Sequence, residues 1–481
     1  MRLAFTVLLT TAQANRNAVG QLPIMGWSGY NALMQNNKHC LGAAGYNETT
    51  FIQTADVLIK TGLRDLGYTY LNLDDCWIAE NRTADGELTW DTSRFSKGIP
   101  WLAEQAHSRG LKLGLYASAS KVTCRNFPGS QGYEELDAKT YAAWGADFVK
   151  LDSCGGTLAH GSESWQSQYT RWAAAMNATG RQMVFSCSWP CYYTICAQAY
   201  PMAEWEDKCG RIPWDDNILS DTCHMWRYGN DLYPFWGDGA YAPITTRVLS
   251  GQGKAGIGDI IEFASSVVAY NTRSVTGPGA YNDPDFLVVG CPTDKKCDAH
   301  PSPPLGTSST INKDDKPPPP SGPPLSDIEQ RTQFSMWCIL AAPLILGSDI
   351  RNLSTTALAT LSNREAIAIN QDSAALPPRL IVKRSAPAAK EPYQVWAREL
   401  HNGDVAIAMI NTGNVTSIDI TVQLVDVVCT SCKREAMVTD VWAGDQTIGS
   451  RGPPAPIDVT DSYTAKGVRP HETVLLRLAP K

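Results

Sequence analysis

Short apolar runs that end in polar residues recur along the first two thirds of the chain. Tyr68-Thr69-Tyr70-Leu71-Asn72-Leu73 leads into Asp74-Asp75-Cys76-Trp77, Leu111 to Leu115 into Tyr116, and Met183 to Ser186 into Cys187-Ser188. Tyr281 to Asp285 and Leu344 to Asp349 repeat the form. In Trp144 to Asp152, a strand would place Phe148, Lys150 and Asp152 on one face and Val149 and Leu151 on the other, because side chains alternate along a strand. Helix-like stretches lie between these runs, at Thr50 to Thr61, Ile99 to Arg109 and Ala138 to Trp144. Alternating strands and helices predict a parallel sheet. Six or more such units in roughly 330 residues suit an α/β fold of the (β/α)8 TIM-barrel type, which takes about 250 residues plus insertions. A doubly wound open sheet would carry a glycine fingerprint after its first strand, and the sequence has none there.

Polar residues at the carboxyl ends of barrel strands build active sites, so the ends of these runs carry the candidate chemistry. Lys150 and Asp152 are a cation and an anion two residues apart at a strand end, an arrangement costly to bury unless the charges are paired. Alone, the pair reads equally well as a salt bridge closing the strand and as catalytic machinery.

The texture changes near Gln371 to Pro378. Tyr393 to Trp396, Val405 to Ile410, Ser417 to Val425, Ala436 to Trp442 and Thr473 to Leu478 are short strand-like runs separated by turn residues, the pattern of an antiparallel β domain. We expect it to brace the barrel rather than bind carbohydrate. The segment Cys291 to Pro324 holds Pro301-Ser302-Pro303-Pro304 and Pro317 to Pro320, a composition that reads as an extended exposed stretch. A helix (Ser326 to Leu340) and an apolar strand (Pro343 to Gly347) are expected after it, which makes it an insertion in the barrel, stapled at its start by Cys291 and Cys297. The expected layout is a signal peptide at 1–14, a barrel at 15–373 with the insertion at about 291–325, and an antiparallel β-sandwich domain at 374–481.

Composition narrows the setting. The formal charge of −7 argues against nucleic acid and anionic membrane as partners. Arg2, the apolar Leu3 to Leu9 and Ala12-Gln13-Ala14 read as a secretory signal, against a buried first strand as the alternative, and no other segment is apolar enough to span a membrane. Fourteen cysteines suit an oxidising compartment, and sequons at Asn47, Asn81, Asn177, Asn352 and Asn414 suit a glycoprotein. We expect a secreted or vacuolar/lysosomal protein. Cys429-Thr430-Ser431-Cys432 reads as a local disulfide, and Cys338, in an apolar helix, as a free buried thiol. The seven histidines are scattered, so neither a metal centre nor a cofactor is expected. The 15 Trp and 18 Tyr offer flat faces for sugars, although core packing explains most of them.

Several motifs, in order along the chain, then carry a resemblance. Leu22-Pro23-Ile24-Met25-Gly26-Trp27, Tyr70 to Trp77, Gly114-Leu115-Tyr116-Ala117, Lys150-Leu151-Asp152-Ser153-Cys154, Trp226-Arg227 with Asp231, and Asn282-Asp283-Pro284-Asp285 resemble glycoside hydrolase family 27, the melibiases. The resemblance runs from about residue 21 into the C-terminal β domain. It implies a (β/α)8 barrel followed by an antiparallel β domain, and a retaining enzyme that removes terminal α-galactosyl or α-N-acetylgalactosaminyl residues from an oligosaccharide, glycolipid or polysaccharide. Retaining glycosidases work with two carboxyl groups, one nucleophile and one acid/base. The resemblance implies Asp152 as nucleophile, Asp231 as acid/base, Asp74 and Asp75 on O4 and O6, Lys150 on O3 and O4, and Arg227 on the O2/O3 side. Asp285 would support the pocket, and Tyr116 would lie near the ring, while Trp27 matches an aromatic motif position and is either near the site or core. It further implies the disulfides Cys40–Cys76, Cys124–Cys154 and Cys187–Cys223. One bond is expected within the trio Cys191, Cys196 and Cys209.

Two places depart from the family pattern. Tyr30 stands where the family usually has Trp, which keeps a stacking face and adds a hydroxyl. Ser188-Trp189-Pro190-Cys191-Tyr192 resembles the loop that reads the C2 substituent. Animal-type α-galactosidases carry Glu and Leu where this chain has Ser188 and Cys191, and the N-acetylgalactosaminidases carry Ser and Ala. α-Galactosidase is expected first, α-N-acetylgalactosaminidase second. A secreted galactose-binding protein without catalysis would be expected to lose Asp152 or Asp231, and both are present. A starch-type glucosidase barrel would give no reason for the Asp74-Asp75 pair.

Overall fold

The computed structural model describes residues 19–33, 46–154, 165–192, 217–237, 255–270, 276–291, 325–384, 389–427, 435–445 and 447–481. The expected leader at 1–14, the proline runs, Cys40, Cys196, Cys209, Cys297, Cys429 and Cys432 lie outside these residues.

Eight parallel strands form the first sheet: β1 (Met25–Ser28), β2 (Tyr70–Asn72), β3 (Lys112–Ser118), β4 (Phe148–Asp152), β5 (Val184–Cys187), β6 (Met225–Arg227), β7 (Tyr281–Asp283) and β8 (Leu344–Leu346). From β1 to β7 each pairs with its neighbour in chain order, and β8 pairs with β1. The circle closes through Leu287, just past β7. Its N–H donates to Ile345 O at 2.8 Å and its carbonyl accepts from Gly347 N at 2.8 Å. Inside, Gly114 makes room for the Asn72 amide, since a Cβ there would stand 2.0 Å from Asn72 Oδ1.

The helices follow from their patterns and caps. Glu48–Lys60 buries Phe51, Thr54, Ala55 and Leu58 on one face, and Asn47 Oδ1 caps it by accepting Thr50 N at 3.0 Å. The helix expected from Ala138 starts earlier, at Glu134, because Glu134, Glu135 and Asp137 favour a helix amino end. Asp327–Ile339 opens with a capping box of Ser326 and Glu329. It is buried from Gln330 to Ile339 because the barrel covers one side and the second domain the other. Its polar residues are satisfied across both: Gln333 Oε1 accepts Val288 N at 3.0 Å, and Thr332 Oγ1 donates to His471 O at 2.6 Å.

The second domain is antiparallel. β9 (Arg379–Arg384), β10 (Tyr393–Glu399), β11 (Val405–Asn411), β12 (Ile418–Gln423), β13 (Glu435–Asp440), β14 (Ile457–Thr460), β15 (Ser462–Val468) and β16 (Thr473–Pro480) form a six-stranded sheet, β14-β13-β16-β11-β10-β9, and a β12–β15 ribbon. Val395, Ile407, Met409, Ile420, Val422, Val438 and Leu476 fill the core between them. Arg398 of β10 points toward the helices outside the barrel, where its guanidinium donates to Ile369 O at 2.7 Å and to Leu376 O, in the connection before β9, at 2.8 Å. No helix among the described residues is long and apolar enough to cross a membrane.

Candidate active site

The carboxyl ends of the barrel strands bring the expected residues to one mouth. β2 runs into Asp74 and Asp75, β3 carries Tyr116, and β4 carries Lys150 and Asp152. Ser188, Cys191 and Tyr192 follow β5, Arg227 ends β6 with Asp231 four residues on, and Asp285 follows β7. Tyr30 lies two residues beyond β1.

Asp152 is gripped by donors. Its Oδ1 accepts Ser153 N at 3.0 Å and the Tyr192 hydroxyl, and its Oδ2 accepts the Tyr116 hydroxyl at 3.1 Å. The Tyr192 oxygen in turn accepts Ser153 N at 2.8 Å. Burial, reinforced by Asp152, holds both tyrosine hydroxyls well above their ordinary range, so each keeps its proton and acts as a donor.

Lys150 pairs elsewhere. Its Nζ lies 2.8 Å from Asp74 Oδ2, and the rings of Phe286, Tyr30 and Tyr116 surround it at 5.0, 5.2 and 5.5 Å. Burial opposes its charge, but Asp74, Asp152 and Asp285 outweigh that and hold the ammonium above the usual lysine range. The strand-end salt bridge that the sequence allowed therefore runs across to β2 and leaves Asp152 to its hydroxyl donors.

The other carboxylates are buried. Asp74 Oδ1 accepts Asp75 N at 2.9 Å. Asp75 accepts Cys76 N at 2.7 Å and Arg125 N at 3.0 Å, yet burial pushes its pKa up to about 7. Arg227 Nη2 reaches Asp285 Oδ2 at 3.0 Å and Asp231 Oδ1 at 3.3 Å, while its Nε has no partner among the described residues. Asp285 also accepts Leu232 N at 2.8 Å. Burial raises its pKa to about 7 even beside Arg227. Its φ of 87°, with that of Cys76 at 79°, puts two non-glycine residues of this mouth in the left-handed region, a strain that concentrates at functional sites. Asp231 differs from all of these: its side chain is 35% exposed, with the Tyr30 hydroxyl 3.3 Å from Oδ2.

Cys124 is bonded to Cys154 and Cys187 to Cys223. The first bond sets Cys124 Sγ 3.4 Å from Asp152 Oδ2, and the second ties β5 to the start of β6. Cys76 and Cys291 are disulfide-bonded, and their expected partners, Cys40 and Cys297, lie outside the described residues. Cys191 and Cys338 are free and buried, and any bond within the expected trio leaves Cys191 out. Burial holds the Cys191 thiol up against the pull of Arg227. Trp27 belongs to the core, with Nε1 donating to Ser348 O at 2.8 Å and its ring edge-on to Phe51.

Four neighbours escaped the sequence reading. Asp283 accepts Asp285 N at 2.8 Å. It shares an inward face with Tyr281, so strand parity alone could have marked it. Ser28 donates to Asp74 Oδ2 at 3.5 Å. Phe286 packs on Tyr30, and Arg125 N reaches Asp75. Neither of these had a periodic signal. Ser28, Asn72, Asp74, Lys150, Asp283 and Phe286 are among the residues lining a narrow cavity at the mouth. Among the described residues one group has metal-ligand proximity, Cys124, Asp152 and Cys154. Its sulfurs are bonded to each other and lack the thiolate that a metal needs. What remains is a barrel mouth with carboxylates and two cations, Lys150 and Arg227, gathered at the strand ends. One carboxylate is clasped by hydroxyls and another is half open to solvent, an arrangement that suits hydroxyl-rich ligands and paired-carboxyl chemistry.

Known proteins resemble this chain along most of its length. The family model described as Alpha galactosidase A matches residues 22–295 and 322–372, and the one described as Alpha galactosidase C-terminal beta sandwich domain matches residues 390–478. The chain is 32% identical over 417 residues to alpha-galactosidase A of Homo sapiens, covering 83% of this chain and 76% of that one. It is 34% identical over 419 residues to alpha-N-acetylgalactosaminidase of Rattus norvegicus, covering 84% and 81%. It spans 61% and 62% of the length of the Aspergillus clavatus and Aspergillus niger relatives. The crystal structure of alpha-galactosidase I from Mortierella vinacea superposes with a TM-score of 0.73 at 26% identity, covering 97% of this chain and 98% of that one.

Proposed function

The chain belongs to glycoside hydrolase family 27, the melibiases, and from that membership we propose that it is a retaining exo-glycosidase that removes terminal non-reducing α-D-galactosyl residues. The observation that carries this reading is the unlike setting of two carboxyl groups at one barrel mouth. Asp152 is fixed by the Tyr116 and Tyr192 hydroxyls, whereas Asp231 is partly exposed beside Arg227. In the first step Asp152 attacks the anomeric carbon. The bond to the leaving oxygen breaks, and that oxygen takes the Asp231 proton. In the second step the Asp231 carboxylate takes a proton from water as the water oxygen displaces Asp152. Asp74, Asp75, Lys150 and Arg227 hold the sugar hydroxyls, and Asp285 supports Arg227.

A second reading, α-N-acetylgalactosaminidase, has its own support. Cys191 is a free thiol, so no disulfide fills the space beside Ser188 where an acetamido group would sit. The experiment is kcat/KM on the chromogenic α-galactoside and α-N-acetylgalactosaminide, with product stereochemistry followed by NMR. The α-anomer as first product is expected, with turnover abolished and the fold intact in Asp152→Asn. The β-anomer as first product, or near-normal turnover by Asp152→Asn, would sink the mechanism. Better turnover of the acetamido sugar would exchange the two readings. Two disulfides beside the site support export from the reducing cytosol, to the cell exterior or to a vacuole or lysosome.

A further inference from the structure

Tyr30, in the first turn after β1, touches both sides of the site. Its hydroxyl donates to Asp231 Oδ2 at 3.3 Å, and its ring lies 5.2 Å from Lys150 Nζ and 6.0 Å from the Phe286 ring. Asp231 also faces Arg227 of β6, with Asp285 behind that guanidinium, and the Cys191 thiol beyond β5. Around Tyr30 itself stand Asp231, Tyr233, Arg125 and Asp74.

We propose that Tyr30 is a positioning residue for Asp231, whose hydroxyl supports the carboxylate form of that group and so sets how it divides its work between the two steps. The inference rests on the reading of Asp231 as the acid/base. A hydrogen bond to a carboxylate is about twice as strong as one to a neutral carboxyl, so a donor fixed here favours the ionised form. When the leaving oxygen takes the Asp231 proton and the C1–O bond breaks, Tyr30 donates to the carboxylate left behind. When that carboxylate then takes a proton from water, the Tyr30 contact weakens again. Tyr30 keeps its own proton throughout, because burial, with Asp231 beside it, holds its hydroxyl well above the ordinary tyrosine range. Its donor distance is at the long end for an O–H···O contact, and such contacts tighten when substrate closes the site.

The consequence is a readout that packing alone does not move. Donation to the carboxylate makes the protonated acid scarcer as pH rises, so Tyr30 pulls in the alkaline limb of the kcat/KM profile. The test compares wild type, Tyr30→Phe and Tyr30→Leu on an alkyl glycoside of the sugar that wild type prefers, since a poor leaving group needs the acid most. Both variants remove the donor to Asp231, and Tyr30→Phe keeps an aromatic face toward Lys150. The limb is expected to move to higher pH by roughly half to one unit in both. A uniform loss at every pH with the limb in place, or a limb moved to lower pH, overturns the inference and leaves Tyr30 as packing. If Tyr30→Phe does not fold by circular dichroism, Tyr30→Leu carries the same comparison. Wild type inactive on both α-galactoside and α-N-acetylgalactosaminide would instead fail the parent reading, and that failure is told apart because it precedes any variant.

Discussion

Asp152 accepts two tyrosine hydroxyls from different strands and loops, and this double grip is what aims it. Tyr116 comes from β3 and Tyr192 from the turn after β5, so the carboxylate plane is fixed from two sides. Removing either hydroxyl leaves one oxygen short of a charge-assisted donor, a loss of about 1.5–3 kcal/mol. Tyr116→Phe and Tyr192→Phe are each expected to lower kcat/KM by roughly 10- to 100-fold, with the melting temperature little changed. Equal activity in either variant would remove that hydroxyl from the aiming of Asp152. At this scale the sequence was half legible. Strand parity put Lys150 and Asp152 on one face, but the Lys150 partner is Asp74, 76 residues away in the chain, and parity says nothing about distance across a barrel. Tyr192 was picked out by family likeness, because a hydroxyl brought in by a turn leaves no periodic trace.

At the scale of elements, the loops beyond β3 and β4 are held together by Cys124–Cys154, which closes a loop of sequence separation 30. The bond braces Ser153 and the Asp152 carboxylate against β3. Replacing both cysteines by serine should lower stability by about 2–4 kcal/mol and also depress kcat, because the end of β4 loses its tether. Calorimetry together with kinetics checks both effects, and a variant with reduced stability but wild-type kcat would show that the bond serves the fold alone. Elements were legible where one face is buried. The alternation of β12 and the apolar runs at β2, β4 and β8 announced themselves. β9 is open on much of its surface, and β15 uses small residues such as Thr464, Ala465 and Gly467, so neither has the contrast that pattern reading needs. The helix Asp327–Ile339, with Gln330, Arg331, Thr332 and Gln333 all buried, shows no apolar stripe because it is sandwiched between domains.

For the whole molecule, the domain interface is polar as well as apolar: Arg398 carries a buried charge to carbonyls at helix carboxyl ends, where a cation is favoured. The sequence marked the change of texture near 371–378 but not this contact, which depends on how two separately patterned domains meet. The charge state of the molecule yields a further expectation. Burial raises Asp75 and Asp285 to about 7, whereas both would titrate near about 4 in the unfolded chain. A carboxyl raised in this way binds its proton more tightly folded than unfolded. Its contribution to stability is whole below the unfolded value and is lost as pH rises through the folded one. Glu329, Asp349 and Asp372 are shifted the opposite way, to below their ordinary values. Their contributions are lost as pH falls through those lowered values, below the window between about 4 and 7 in which the raised pair acts. Burial raises Asp137, Asp283 and Asp440 as well, so within that window the raised carboxyls together set the slope, and the melting temperature should fall between about pH 5 and pH 8, on the order of 2–5 °C. Calorimetry across that range checks it, and a flat or rising curve would mean that neither Asp75 nor Asp285 holds its proton near neutrality. On the proposed reading, saturating galactose should shrink the fall, because a sugar hydroxyl donating to Asp75 would favour its ionised form.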